Sequence, residues 1–141
     1  MSDTPMTNRH SAAAPRQRSA DHAGADLVAV KAMQRVFAAW RITTAEAARL
    51  VGVSERTWSR MRSAAWSGSL DDDQLDRASA LIGIYKALHL YFGEELADRW
   101  VRMPNRGPLF GGAAPAAYMQ AGGLPAILAT RDYLDALRGG L

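Results

Sequence analysis

The chain has 141 residues, 48% of them hydrophobic, with a net charge of +3 and no cysteine. That length suits one domain or two very small ones, and the apolar content is enough for a core. Disulfides, cysteine-ligated zinc and thiol nucleophiles are excluded, global disorder does not fit the composition, and no run of about 18 apolar residues is present to span a membrane.

The N-terminus lacks the apolar stretch of a signal peptide, which predicts a soluble, cytoplasmic protein. Residues 1–25 mix Ala, Ser, Arg and Pro with almost no large apolar side chains. Such a segment cannot bury enough surface to offset its ordering entropy, so a disordered tail is expected there. From Asp26, a candidate helix cap, Leu27, Val30, Met33, Val36, Phe37 and Trp40 recur at three- and four-residue steps. That spacing predicts an amphipathic helix.

A second helix opens at Thr43 or Thr44, runs through residues 45–51 and stops at Gly52, where a left-handed backbone carries little penalty. Ser54 caps a third helix over residues 55–63. After a break at Gly68, Leu70 and the acids Asp71, Asp72 and Asp73 open a fourth helix reaching about Leu90. Negative charge suits the positive helix end and explains the acid run better than a cation site does. Its apolar positions are Leu75, Ala78, Leu81, Ile82, Tyr85 and Leu88, with Phe92 following.

Gly93 interrupts the pattern, and residues 94–101 predict a short helix. Residues 104–108 form a Pro-Asn-Arg-Gly-Pro turn, and Gly111 and Gly112 are a further break. Residues 115–121 and 125–137 predict two more helices, separated by Gly122 and Gly123, with residues 139–141 as a flexible end. No strand pattern competes, so the predicted class is all-α. The expected division is a tail at 1–25, a helix-turn-helix domain at 26–92 and a small helical domain at 93–141.

Charge is unevenly spread. Residues 31–62 carry Lys31, Arg35, Arg41, Arg49, Arg56, Arg60 and Arg62 against only Glu46 and Glu55, whereas residues 63–141 are net acidic. The basic block coincides with a helix-turn-helix over residues 44–62. Ala47, Ala48 and Val51 supply the close helix contact, Gly52 the turn, and Val53, Trp58 and Met61 the anchors behind the second helix. The opposite face carries Glu55, Arg56, Thr57, Ser59, Arg60 and Arg62. Such a helix fits the major groove, where arginine pairs bidentately with guanine and hydroxyls bond phosphates or base edges. Ser54 and Thr44, at the two helix starts, complete the candidate DNA-contact set, since capped helix ends aim amides at phosphate. The competing reading is an ordinary helical hairpin with a solvated basic face.

The second half offers no catalytic constellation. His10, His22 and His89 are far apart, and no zincin, phosphate-loop or nucleophile-elbow motif occurs. The expectation is a protein that is not an enzyme and needs no metal or cofactor. His89, between Leu88 and Leu90, reads as a packed or interfacial side chain; Phe110 is a candidate exposed aromatic in a turn-rich loop, and the competing reading is that Trp100, Phe110 and Tyr118 close a small core.

Three stretches carry a family resemblance: Arg77 to Phe92 (RASALIGIYKALHLYF), Ala97 to Asn105 (ADRWVRMPN) and Leu109 to Pro115 (LFGGAAP). Together they resemble the MbcA/ParS/Xre antitoxin family, over about residues 27–141. The resemblance implies an Xre-like helix-turn-helix joined to a toxin-binding C-terminal domain. It implies two partners: an NAD-consuming RES-domain toxin, and operator DNA through which the protein represses its own operon, as a homodimer or a larger complex with the toxin. It further implies that the C-terminal part plugs the toxin's cleft. Carried onto this chain, the toxin contacts are Trp100, Asn105, Arg106, Leu109, Phe110, Tyr133, Leu134, Leu137, Arg138, Gly139, Gly140 and Leu141. A plain transcriptional regulator whose C-terminal half serves dimerisation is the alternative.

Overall fold

The computed structural model describes residues 24–140. The expected tail, up to residue 23, and Leu141 lie outside the described residues. Every regular element within them is helical. They are α1 (24–39), α2 (Thr44–Val51), α3 (Glu55–Met61), α4 (Asp72–Tyr91), α5 (Glu94–Arg99) with a 3-10 turn at Trp100–Arg102, and α6 (Pro115–Gly140). No helix among them is long and apolar enough to cross a membrane.

Local chemistry sets the helix starts. Thr43 caps α2 by accepting the Glu46 amide, and the Glu46 carboxylate returns the bond to the Thr43 N–H, closing a capping box. Asp71 and Gln74 build the same box on α4. Ser54 caps α3 through the Thr57 amide. Gly52 ends α2 in the left-handed region at φ 85°, a conformation that costs glycine nothing for want of a Cβ.

The apolar stripe of α1 is buried through Val30, Met33, Val36, Phe37 and Trp40, while Leu27 stays at the rim. Phe37 meets Trp58 of α3 edge to face, with ring centroids 5.6 Å apart. Ala47, Ala48, Leu50 and Val51 bring α2 into the same core, and Ala78, Leu81, Ile84 and Leu88 of α4 continue it. Met119, Ile127 and Leu134 of α6 close it from the far side. One contiguous core therefore runs through both halves of the chain.

Three sequence expectations are corrected, and one about α6 holds. Asp26 does not cap α1: residues 24 and 25 are already helical, and Asp26 is buried. Its Oδ2 accepts the Leu70 N–H at 3.1 Å, so it ties α1 to the entrance of α4. Helix α3 ends at Met61 because the Ser63 amide turns back to the Arg60 carbonyl in a tighter loop. The two helices expected at 115–121 and 125–137 are separated as predicted: the helical run over Pro115–Gly140 is broken by a kink at Gly123, whose φ of 69° and ψ of −152° are non-helical and open to glycine. Pro125 fits just beyond the bend, in a first turn that lacks a partner for its missing N–H. Finally, the end expected to be flexible from Gly139 is helical to Gly140.

Candidate functional site

The second helix of the helix-turn-helix divides cleanly. Trp58 and Met61 are buried, whereas Glu55, Arg56, Ser59, Arg60 and Arg62 are exposed and Thr57 is half-buried. The Ser54 and Thr57 hydroxyls are 3.0 Å apart at its start. Open clefts flank it on both sides. One, between α1, α2 and α3, is lined by Gln34, Thr43, Thr44, Trp58 and Arg62. The other follows the α3–α4 loop past Arg60, Ser63 and Trp66. Arg62 folds back over the Trp58 ring, its guanidinium carbon 5.9 Å from the centroid, a cation–π contact that restrains this cation more than Arg56 or Arg60.

Helix α2, which carries α3 through the turn, is held at both ends by arginines from later in the chain. At its N-terminal end Arg102, from the 3-10 turn, grips the Glu46 carboxylate with Nη2 to Oε1 at 2.6 Å and Nη1 to Oε2 at 3.4 Å. The same guanidinium donates from Nε to the Trp40 carbonyl at 2.9 Å and from Nη2 to the Arg41 carbonyl. Those carbonyls lie where α1 has ended and the chain reverses, with Arg41 at φ 56°. Carbonyls at a helix end have no intrahelical donor, and Arg102 supplies one. The Arg102 hydrogen bond is the main reason that the Glu46 carboxyl is held down to about 2, against a partial penalty from burial, with help from the Thr43 amide and Gln120.

At the C-terminal end of α2, Arg77 of α4 donates to the Arg49 and Leu50 carbonyls, both at 3.2 Å, and pairs with Asp73 at 2.8 Å. A cation suits this negative helix end. Gly52 leaves room for it, because a Cβ there would sit 2.9 Å from the Arg77 guanidinium. Between the two ends, Gln120 of α6 accepts from Arg49 at 3.1 Å and donates to Glu46 at 3.3 Å.

The residues carried over as toxin contacts do not form one exposed patch. Phe110, the candidate exposed aromatic, is buried at 4% exposure and packs edge to face against Trp100, Tyr118 and Tyr133. Leu134 is fully buried in the core. Asn105 holds its loop together: its side chain accepts the Gly107 amide at 2.8 Å, and its backbone bonds to Gly112 and Ala113. Trp100, Asn105, Leu109, Tyr133 and Leu137 are half-buried, and Arg106, Arg138 and Gly139 are exposed. Gly140 ends the helix, and Leu141 lies outside the described residues. Trp100 and Tyr133 stack with centroids 6.4 Å apart. His89 Nε2 donates to Asp98 Oδ1 at 2.8 Å, and its ring lies against that of Tyr85.

Sequence reasoning missed Arg102, Arg77 and Gln120 as site-building residues, and Trp66 beside Arg60. The one available signal was Glu46, an acid inside a basic block that needs a partner. Among the described residues, no three His, Asp or Glu side chains gather as a metal site.

Residues 19–83 match the family described as the antitoxin Xre-like helix-turn-helix domain. Residues 87–140 match the antitoxin Xre/MbcA/ParS C-terminal toxin-binding domain. The chain is also similar to the uncharacterized protein y4oB of Sinorhizobium fredii, 36% identical over 113 residues, which are 79% of this chain and 84% of that protein. An exposed basic helix α3, joined through the Gly52 turn to an α2 that packs on α6, thus coincides with two consecutive antitoxin domains, and the chain belongs to the Xre/MbcA/ParS antitoxin family.

Proposed function

We propose that this protein is the antitoxin of a type II toxin–antitoxin pair, that its toxin is an NAD-consuming RES-domain protein, and that it represses its own operon in the cytoplasm. The observation that carries the DNA half is the set of exposed side chains on α3: Arg56 and Arg60 stand exposed beside open clefts, with Ser59, which accepts from Arg62, on the same face, while Trp58 and Met61 fix the helix from behind. An arginine-bearing helix of this kind enters the major groove, with Ser54, Glu55, Thr57, Arg62 and Thr44 at its margins. A homodimer would set two such helices on the half-sites of a palindromic operator.

The toxin half is supported by the family's toxin-binding domain over residues 87–140. Arg106, Arg138 and Gly139 are the exposed members of the proposed contact set, with Trp100, Asn105, Leu109, Tyr133 and Leu137 offering partial surface. Phe110 and Leu134 act from beneath, by shaping that surface.

Co-expression tests the reading. A neighbouring RES-type protein should deplete cellular NAD and arrest growth, and this chain should restore both. Persistence of NAD loss with the chain present would sink the toxin assignment. Titration of the operator should show affinity that falls steeply with salt, as phosphate contacts release counterions. An operator affinity no better than that for random duplex would leave the alternative of a toxin-binding protein without autorepression.

A further inference from the structure

We propose that the C-terminal domain is part of the DNA-reading device: Arg102 and Gln120 are positioning residues that set the angle of α2, and through the Gly52 turn the angle of α3. The proposal rests on the DNA reading given above and adds how its geometry is enforced.

The physical case begins with what α2 would be without them. It is eight residues long, too short to hold its own orientation by helix propensity, so tertiary contacts must do so. Its inner face is fixed by Ala47, Ala48, Leu50 and Val51. Small apolar contacts of that kind are non-directional and permit sliding and rotation. Directional bonds remove that freedom, and those reaching α2 from outside the helix-turn-helix come from Arg102, Gln120 and Arg77. The first two lie within the residues matched by the toxin-binding domain, and all their acceptors and donors here lie within the residues matched by the helix-turn-helix domain.

The arrangement at Arg102 is specific to arginine. A planar guanidinium with donors on three nitrogens satisfies the Trp40 and Arg41 carbonyls on one side and both Glu46 oxygens on the other. One group therefore spans the reversal between α1 and α2. An ammonium keeps the charge but cannot reproduce that fork. The Arg102 guanidinium, though partly exposed, already makes four contacts to Trp40, Arg41 and Glu46, which a phosphate would have to displace. A positioning role and a phosphate-contact role thus predict different behaviour.

The test uses the full chain with Arg102→Lys and, separately, Glu46→Gln. The second keeps a side-chain oxygen for the capping box, removes the charge that faces Arg102, and replaces the acceptor shared by Arg102 Nη1 and Gln120 with an amide NH2. Operator duplex and a scrambled duplex of equal length are titrated over a range of salt. Circular dichroism and toxin binding report folding. Each variant should lose about tenfold in operator affinity, a shift near 1.4 kcal/mol, with scrambled-duplex affinity and the salt slope unchanged. Combining Glu46→Gln with Arg102→Lys should add little to either alone, as expected for two members of one contact. Folded variants with wild-type operator affinity would overturn the positioning role. Equal losses on both duplexes with a flatter salt slope would also overturn it, by making Arg102 a phosphate contact. If Arg102→Lys fails to fold, Glu46→Gln decides the matter. A wild-type chain that does not prefer operator overturns the DNA reading itself, and this inference with it.

Discussion

Arg56 and Arg60 differ from the other cations of the helix-turn-helix in having no partner among the described residues, whereas Arg49 is bonded to Gln120 and Arg62 lies over Trp58. Free guanidinium groups on an exposed helix face lose least on meeting a base. Arg56→Ala and Arg60→Ala should therefore each weaken operator binding by roughly 1–3 kcal/mol if they contact bases, read by titration at fixed salt. Unchanged affinity in the double substitution would show that the reading face is elsewhere. Glu46 gives a second residue-scale expectation. Its carboxyl is held at about 2 in the folded chain, against 4.5 for an ordinary glutamate. The folded state therefore binds fewer protons than the unfolded state between those values. The stabilisation is complete above pH 4.5 and fades as pH falls toward 2. Acid unfolding of Glu46→Gln should lack that component, so its stability should depend less steeply on pH over this window than that of the wild type.

Among the elements, the turn at Gly52 and the bend at Gly123 are where backbone conformation matters most. Gly52→Ala places a Cβ in the left-handed region, at a cost of about 1–2 kcal/mol, and pushes it against the Arg77 guanidinium. The thermal midpoint should fall accordingly, with operator affinity lowered further, since Arg77 also holds the end of α2. The C-terminal part of α6 allows toxin contact and core packing to be separated. Removing residues 133–141 takes Leu134 out of the core and should destabilise the whole chain. Removing residues 138–141 leaves Leu134, Tyr133 and Leu137 in place. That shorter cut should weaken toxin rescue while operator binding persists, and full rescue by it would remove the tail from the contact set. Element starts were legible in the sequence because caps act over three residues: Thr43 with Glu46, Ser54 with Thr57, Asp71 with Gln74. The break within α6 was legible too, since the glycine pair before Pro125 reads as a stop and Gly123 is non-helical.

For the whole molecule, the sequence pattern suggested two units, but the core runs unbroken from Val30 to Leu134. The bonds that join the halves were invisible in the sequence for a physical reason. Arg102 and Glu46 are 56 positions apart and Gln120 and Glu46 are 74, and no local rule links residues at such distances. That Trp100, Phe110 and Tyr118 close a small core was one of the two readings the sequence left open, and the rings bear it out, with Tyr133 added to them. A shared core predicts one cooperative thermal transition for the full chain, with calorimetric and van't Hoff enthalpies equal. Two resolved transitions would argue for independent halves. The Arg102–Glu46 pair has a further consequence for how such proteins can diversify. A chimera that joins this helix-turn-helix to the toxin-binding half of a relative without an arginine at this place leaves the Glu46 carboxylate without its main partner and the α1–α2 corner without a donor. Toxin choice and operator choice are then not freely exchangeable modules: recombination between relatives must carry both sides of the pair, so the two specificities are inherited together.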